Sequence, residues 1–310
     1  MLGCQQPMSS HDHCNHGHNH ANAPTNFGRS FLVAASLNAA FIIAEIVYGL
    51  KANSLALLAD AGHNFGDVLG LLLAWGAWRL SKRAPSGRYT YGLRSSSIMA
   101  ALVNVIVLLI STGIIAWEAV QRLGVHQQVD GNVVMWVAAL GILINGVTAW
   151  MFSKGQNDLN IKAAFMHLAS DAAVSLGVVI AGLIMTQTGW LWVDPVVSLA
   201  ISIVIGWSSW GLLRDSANLA LHAVPANIDH EKVRKYLAGL PGVKEVHDLH
   251  IWGMSTTEAA LSVHLIFCGA HPGDDFLSEL REKLRDDYSI GHVTIQIELG
   301  NGRTQCKTCA

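Results

Sequence analysis

Long apolar runs separated by short polar stretches fill the first two-thirds of the chain. A helix needs about 20 mostly apolar residues to cross a bilayer. Six segments reach that length, at roughly 31–50, 54–78, 96–121, 132–153, 161–186 and 192–212. The first reads FLVAASLNAAFIIAEIVYGL, and the third contains SIMAALVNVIVLLISTGIIAWEAV. So many such lengths with short connections predict a six-transmembrane-helix bundle rather than the buried core of a soluble protein. Past Arg214 the pattern changes. NIDHEKVRKYLAGL reads as a helix opened near Asp229 and closed by the Pro241-Gly242 turn. VKEVHDLHIW and EAALSVHLIF read as strands, PGDDFLSELREKLRDDY as a second helix, and HVTIQIEL as a last strand. The order α-β-β-α-β predicts a small ferredoxin-like α+β domain with its helices on one face of a sheet.

Composition supports this division. Of 310 residues, 51% are hydrophobic and only 14% charged, against about 25% charged in a soluble domain. The net charge of -2 gives no basic excess of the kind nucleic-acid binding requires. Five cysteines are too few, and odd in number, for a disulfide scaffold. Residues 1–30 are polar and lack the apolar core of a signal peptide. The expected organisation is a His-rich tail at 1–28, a transmembrane domain at 29–213, a metal-binding and dimerisation domain at 214–300, and a tail at 301–310 with a Cys-x-x-Cys sequence.

Orientation follows from lysine and arginine near the helix ends. Arg79, Lys82, Arg83, Arg88 and Arg94 flank the second connection, and Arg29, Lys154, Lys162 and Arg214 share its side if the helices alternate. The opposite side has Lys51 and Arg122. Both termini are therefore expected in the cytoplasm.

Ionisable groups inside spans are costly and mark pathways. ADAGHNFGD in the second span sets His63 and Asp67 four residues apart, on one helical face. AAFMHLASD in the fifth repeats the arrangement with His167 and Asp171. Facing each other, the pairs would form a site of two imidazole nitrogens and two carboxylates. Zinc accepts that set in tetrahedral geometry, and two carboxylates neutralise a divalent ion in a poorly solvated place. Imidazole disfavours magnesium and calcium but leaves cobalt, nickel, cadmium and iron(II) open. The alternative is a pair of interhelical hydrogen bonds that only stabilise the bundle. No His-Glu-x-x-His helix and no Gly-x-x-x-x-Gly-Lys-[Ser/Thr] loop occurs, so neither a metalloprotease nor ATP-driven pumping is indicated, and the chain is not expected to be an enzyme. Asn38, Glu45, Asn104 and Asn145 either line a path or bond between helices. Asp60 is placed to orient a ligand, and Gly62, Gly66 and Gly70 permit close helix approach.

These features, with SLALLADAGHNFGD, WVDPVVS, VHDLHIW and HVTIQIE, resemble the cation diffusion facilitator family, specifically its zinc-type bacterial members. The resemblance spans nearly the whole chain. It implies a homodimeric antiporter of the bacterial inner membrane that exports zinc in exchange for protons, with His63, Asp67, His167 and Asp171 as the intramembrane ligands. It also implies cytoplasmic ligands at His247, His264 and Glu298, with His292 nearby, and an ion there with a structural or regulatory role. The other functional class compatible with these residues is a membrane-anchored metal sensor without transport.

Strand parity bears on the cytoplasmic residues. HVTIQIEL places His292, Thr294, Gln296 and Glu298 on one face. In VKEVHDLHIW, inward Leu249 and Ile251 would turn His250 outward and His247 the other way, unless a bulge intervenes. His11, His13 and Cys14, with His16, His18 and His20, form a chelating tract, and Cys306 and Cys309 offer half a thiolate site. Some family members are similar in pairing such tails across the dimer.

Overall fold

The computed structural model describes residues 27–125, 127–152 and 159–299, and the side chains of 36–125, 127–150 and 165–299. Six long helices come first: α1 (Phe27–Ala52), α2 (Leu55–Ser81), α3 (Ser96–Arg122), α4 (Gly131–Phe152), α5 (Leu159–Thr188) and α6 (Val193–Ala220). Ser96–Arg122, Gly131–Trp150, Phe165–Thr188 and Val193–Ala220 are long and apolar enough to cross a membrane. α2 falls short of that composition because Asp60, His63, Asn64 and Asp67 interrupt its leucines. The outer faces carry exposed Ile114, Trp117, Trp136, Ile203 and Trp207. So much outward apolar surface requires a nonaqueous surrounding. The helical architecture expected from the apolar runs is therefore present. α6, however, continues past Arg214 to Ala220, so the expected boundary at 213/214 falls inside a helix.

Glycines set the close approaches. A Cβ on Gly182 of α5 would lie 2.8 Å from the Met135 backbone nitrogen of α4. On α2, a Cβ at Gly66 or Gly70 would meet Leu108 at 2.9 Å or Asn104 at 2.8 Å. That stripe faces α3 and leaves the His63–Asp67 face free for α5. The start of α2 is pinned from α6. Asp194 accepts from Ser54 Oγ at 2.5 Å, from the Leu55 amide at 2.7 Å and from the Ala56 amide at 3.3 Å. Ser54 in turn caps the helix by accepting from the Leu57 amide. Buried amides at a helix start need such partners.

The C-terminal part contains α7 (His230–Ala238), β1 (Val243–Gly253), β2 (Ala259–Phe267), α8 (Asp274–Tyr288) and β3 (Ile290–Leu299). The strands lie in the order β1-β2-β3, with β1 antiparallel and β3 parallel to β2. Alternation on β2 turns Leu261, Val263, Leu265 and Phe267 inward, where they form one core with Val233 and Leu237 of α7 and Leu280 and Leu284 of α8. Ser262 and His264 take the other face. Asp229 caps α7, accepting from the Glu231 and Lys232 amides. The Lys232 amide holds its carboxyl below the usual aspartate value.

The domain docks on the α2–α3 connection. Arg94 pairs with Glu258 at 2.9 Å, Ser95 Oγ donates to the Met254 carbonyl, and the Thr256 amide donates to Ser97 Oγ. The helix ends bearing the lysine- and arginine-rich connection therefore face the C-terminal domain.

Candidate metal sites

The two His-x-x-x-Asp pairs meet between α2 and α5. His63 Nε2 lies 3.7 Å from Asp67 Oδ2 and 3.6 Å from Asp171 Oδ1. His167 Nε2 lies 3.3 Å from Asp67 Oδ2 and 3.6 Å from Asp171 Oδ2. Each imidazole thus faces both carboxylates. Tetrahedral ligands with bonds of about 2.0–2.1 Å stand roughly 3.3 Å apart, which is close to these spacings. Asp67, His167 and Asp171 offer atoms that all lie within 4.8 Å of one another, and His63 completes the ring with its imidazole edge-on to that of His167. His63 Nδ1 and Asp67 Oδ2 are buried without a hydrogen-bond partner. Orphaned polar atoms of this kind in a bundle interior mark a place for a cation or a proton.

Exposure falls along the helix axes. His167 and Asp67 are 48% and 33% exposed, His63 and Asp171 20% and 5%. Asp67 follows His63 on α2, and His167 precedes Asp171 on α5. The more exposed half of the cluster therefore lies nearer the end that carries the C-terminal domain, and the more buried half nearer the other.

A second cluster forms on the open face of the sheet. His247 pairs across from His264, and His264 pairs across from Gln296. His264 Nδ1 lies 3.0 Å from Glu298 Oε1, and His247 Nε2 lies 3.4 Å from Glu298 Oε2. Ligand atoms of the three fall within 4.8 Å of one another, and His247 Nε2 and Glu298 Oε2 are buried without a hydrogen-bond partner. The parity difficulty is resolved by a bulge. His247 opposes His264 and His250 opposes Ser262, so β1 holds one residue more than β2 between these pairs. Asp248 absorbs the extra residue at φ 52°, and both histidines reach the same face.

Asp248 itself was missed from sequence, although it stands next to His247. Its Oδ1 lies 2.9 Å from His250 Nε2 and its Oδ2 3.6 Å from His264 Nε2. The His250 hydrogen bond holds the Asp248 carboxyl below its ordinary value. Asp248 could have been flagged only by guessing the bulge. His292 is not brought to this cluster. It shares the face of Glu298, but six residues along a strand span about 20 Å, and its ring packs edge-on to Tyr91 of the α2–α3 connection. His11, His13, Cys14, Cys306 and Cys309 lie outside the described residues.

The chain is similar to known proteins over most of its length. Residues 31–219 match the family described as the cation efflux transmembrane domain, and residues 225–299 the cation efflux protein cytoplasmic domain. The chain belongs to the cation diffusion facilitator family of cation efflux proteins. It is a multi-pass membrane protein. Over 289 residues it is 36% identical to the zinc transporter ZitB of Escherichia coli K12, covering 91% of this chain and 92% of that one. It is 37% identical to the metal cation efflux system protein CzcD of Cupriavidus metallidurans, covering 92% and 90%. The cadmium, cobalt and zinc/H(+)-K(+) antiporter of Bacillus subtilis is 30% identical over 91% and 92%. Among solved structures, the metal-bound C-terminal domain of the C. metallidurans CzcD transporter is 42% identical, covering 23% of this chain and all of that one, with a TM-score of 0.22.

Proposed function

We propose that the chain exports zinc from the cytoplasm in exchange for protons, as a homodimer in the bacterial inner membrane with both termini cytoplasmic. His63, Asp67, His167 and Asp171 bind the transported ion. The observation that carries this reading is the closed ring of two imidazoles and two carboxylates between α2 and α5. Two carboxylates cancel the charge of a divalent ion, so the loaded site is neutral inside the bilayer. Metal binds deprotonated ligands, so loading releases protons and protonation releases metal. Histidine, with an ordinary pKa near 6.5, makes that competition operate around neutral pH. Greater exposure toward the C-terminal domain corresponds to a cytoplasm-facing state ready to load. Names of the relatives, which include zinc transporters and a cadmium, cobalt and zinc antiporter, support the substrate class. Cadmium, cobalt, nickel and iron(II) remain chemically acceptable to the same ligands.

His247, His264 and Glu298 hold a second, cytoplasmic ion that ties the sheet together. Their unpartnered buried atoms support a bound cation there, and Asp248 lies within reach as a further carboxylate. The tails at 1–28 and 301–310 add chelating groups, and the domain carrying the sheet forms the dimer contact.

Inside-out proteoliposomes with an acidic lumen test the transport reading. Zinc should accumulate in the lumen while the lumen turns alkaline. Zinc accumulation indifferent to the pH gradient, or none at all, would contradict proton exchange or transport respectively.

A further inference from the structure

A pair of acids beside the intramembrane cluster is left unused by this reading. Glu45 of α1 and Asp60 of α2 are both fully buried. Asn64 Nδ2 donates to Glu45 Oε2 at 3.2 Å, and Ser175 Oγ of α5 donates to Asp60 Oδ2 at 3.1 Å. The remaining oxygens, Glu45 Oε1 and Asp60 Oδ1, receive no donor from any other described residue. The two carboxyl groups are neighbours that act on each other's charge. Two ionised carboxylates have no hydrogen to offer one another, so the pair can bond only if one of them carries one.

Charge in the surroundings points the same way. Asp171 and His63 are the outside ionisable groups that act most strongly on the pair, with no lysine or arginine among them. Asp67 and His167 lie farther along the same helices. α4 contributes no titratable side chain. Glu118 and Arg122 of α3 pair with each other, and Arg122 also donates to the Asn53 carbonyl. Asp194 of α6 is occupied by Ser54, Leu55 and Ala56. His63 is a cation toward Asp60 only when protonated, and with no lysine or arginine beside them two adjacent, desolvated carboxylates cannot both stay ionised.

We propose that Glu45 and Asp60 hold one proton between them and serve as the proton station of the exchange. Position gives the pair this role. Asp60 precedes His63 by three residues, about 4.5 Å along the helix, and Ser175 follows Asp171 by four. The pair thus lies on the more buried side of the cluster, away from the C-terminal domain, where a proton coming inward would pass before reaching the ligands. After the metal departs, the acid O–H bond breaks and an N–H or O–H bond forms at His63 or Asp171. The pair then takes a new proton from the far side.

The inference rests on the proton-exchange reading, and two measurements on the full-length protein separate them. Infrared spectra of the zinc-free protein at neutral pH should show the carbonyl stretch of a buried carboxylic acid, lost in Glu45→Gln and in Asp60→Asn. No such band, or one that survives both substitutions, would overturn the proposal whatever the transport result. In proteoliposomes, Glu45→Gln should slow proton-driven zinc uptake by at least about tenfold while exchange of labelled for unlabelled zinc persists. Equal loss of both fluxes would make Glu45 merely structural, and loss of one bound zinc per chain would make the pair a metal site. Either outcome overturns the proposal. Failure of wild-type uptake to respond to a pH gradient would instead sink the reading on which it rests.

Discussion

The two clusters use nearly the same donors and are built on opposite principles. Between α2 and α5, helical spacing sets the geometry: residues four apart share a face, so His63 with Asp67 and His167 with Asp171 are aligned before the helices meet. On the sheet, His247, His264 and Glu298 come from three strands, and their meeting depends on one extra residue at Asp248. The membrane cluster carries two carboxylates, the cytoplasmic one a single glutamate with Asp248 alongside. Where water is scarce, the protein has to supply all the neutralising charge. Where water is near, a site can be left one charge short. The membrane cluster is also graded in exposure from one end to the other, which fits the proposed loading on one side and unloading on the other.

Substitutions can break this contrast. The largest effect is expected at Asp67. Asp67→Asn keeps the shape but leaves the loaded site with an uncancelled positive charge in the bilayer interior. Zinc flux should fall by at least about 100-fold, the upper reach of changes made only outside a metal's ligand shell. Flux within a few-fold of wild type would show that neutrality is not what the second carboxylate provides.

Asp194→Ala attacks the placement of α2 rather than its ligands. It leaves the Leu55 and Ala56 amides without their acceptor, and each unsatisfied buried donor costs about 1–3 kcal/mol. Thermal unfolding in detergent should therefore move to clearly lower temperature, with zinc affinity weakened as a consequence. An unchanged unfolding temperature would mean that α2 is held by packing alone.

The bulge gives a sharper, smaller test. At φ 52°, Asp248→Gly keeps the backbone comfortable, whereas a β-branched valine is strained there. Asp248→Val should weaken zinc binding at the cytoplasmic cluster by about tenfold more than Asp248→Gly, read by titration of a variant whose membrane cluster is disabled. Equal weakening would assign the whole effect to the lost carboxylate.

The smallest effect is expected at Asp229, the cap of α7. Its carboxyl is held below the ordinary value, so its ionised form stabilises the fold above the unfolded aspartate pKa of about 3.9. That contribution disappears as pH falls through the lower folded value. The Asp229→Ala destabilisation should thus be present at neutral pH and vanish in strong acid. A difference that persists there would assign the cap's worth to something other than its charge.

The same contrast explains what could be read from the residues. The six long helices follow from apolar length, and the His-x-x-x-Asp pairs from a spacing that a helix converts directly into a shared face. The inward face of β2 follows from alternation. The bulge at Asp248 does not, because an extra residue in a strand leaves no periodic trace. The Asp194 cap on α2 joins residues far apart in the chain, and only packing of α6 on α2 brings them together. The extension of α6 to Ala220 was hidden because the helix outlasts its apolar stretch. His292 shows the limit of parity, since it shares the face of Glu298 but not its end of the strand.

The central claim is that the ring between α2 and α5 carries the transported ion, while the sheet cluster binds an ion that is not transported. Uptake of radiolabelled zinc into inside-out proteoliposomes, with Asp171→Ala and Glu298→Ala measured side by side at saturating zinc, tests it directly. Asp171→Ala should abolish pH-driven uptake, and Glu298→Ala should retain it while binding less zinc per chain. Sustained uptake by Asp171→Ala, or its loss in Glu298→Ala, would contradict the assignment.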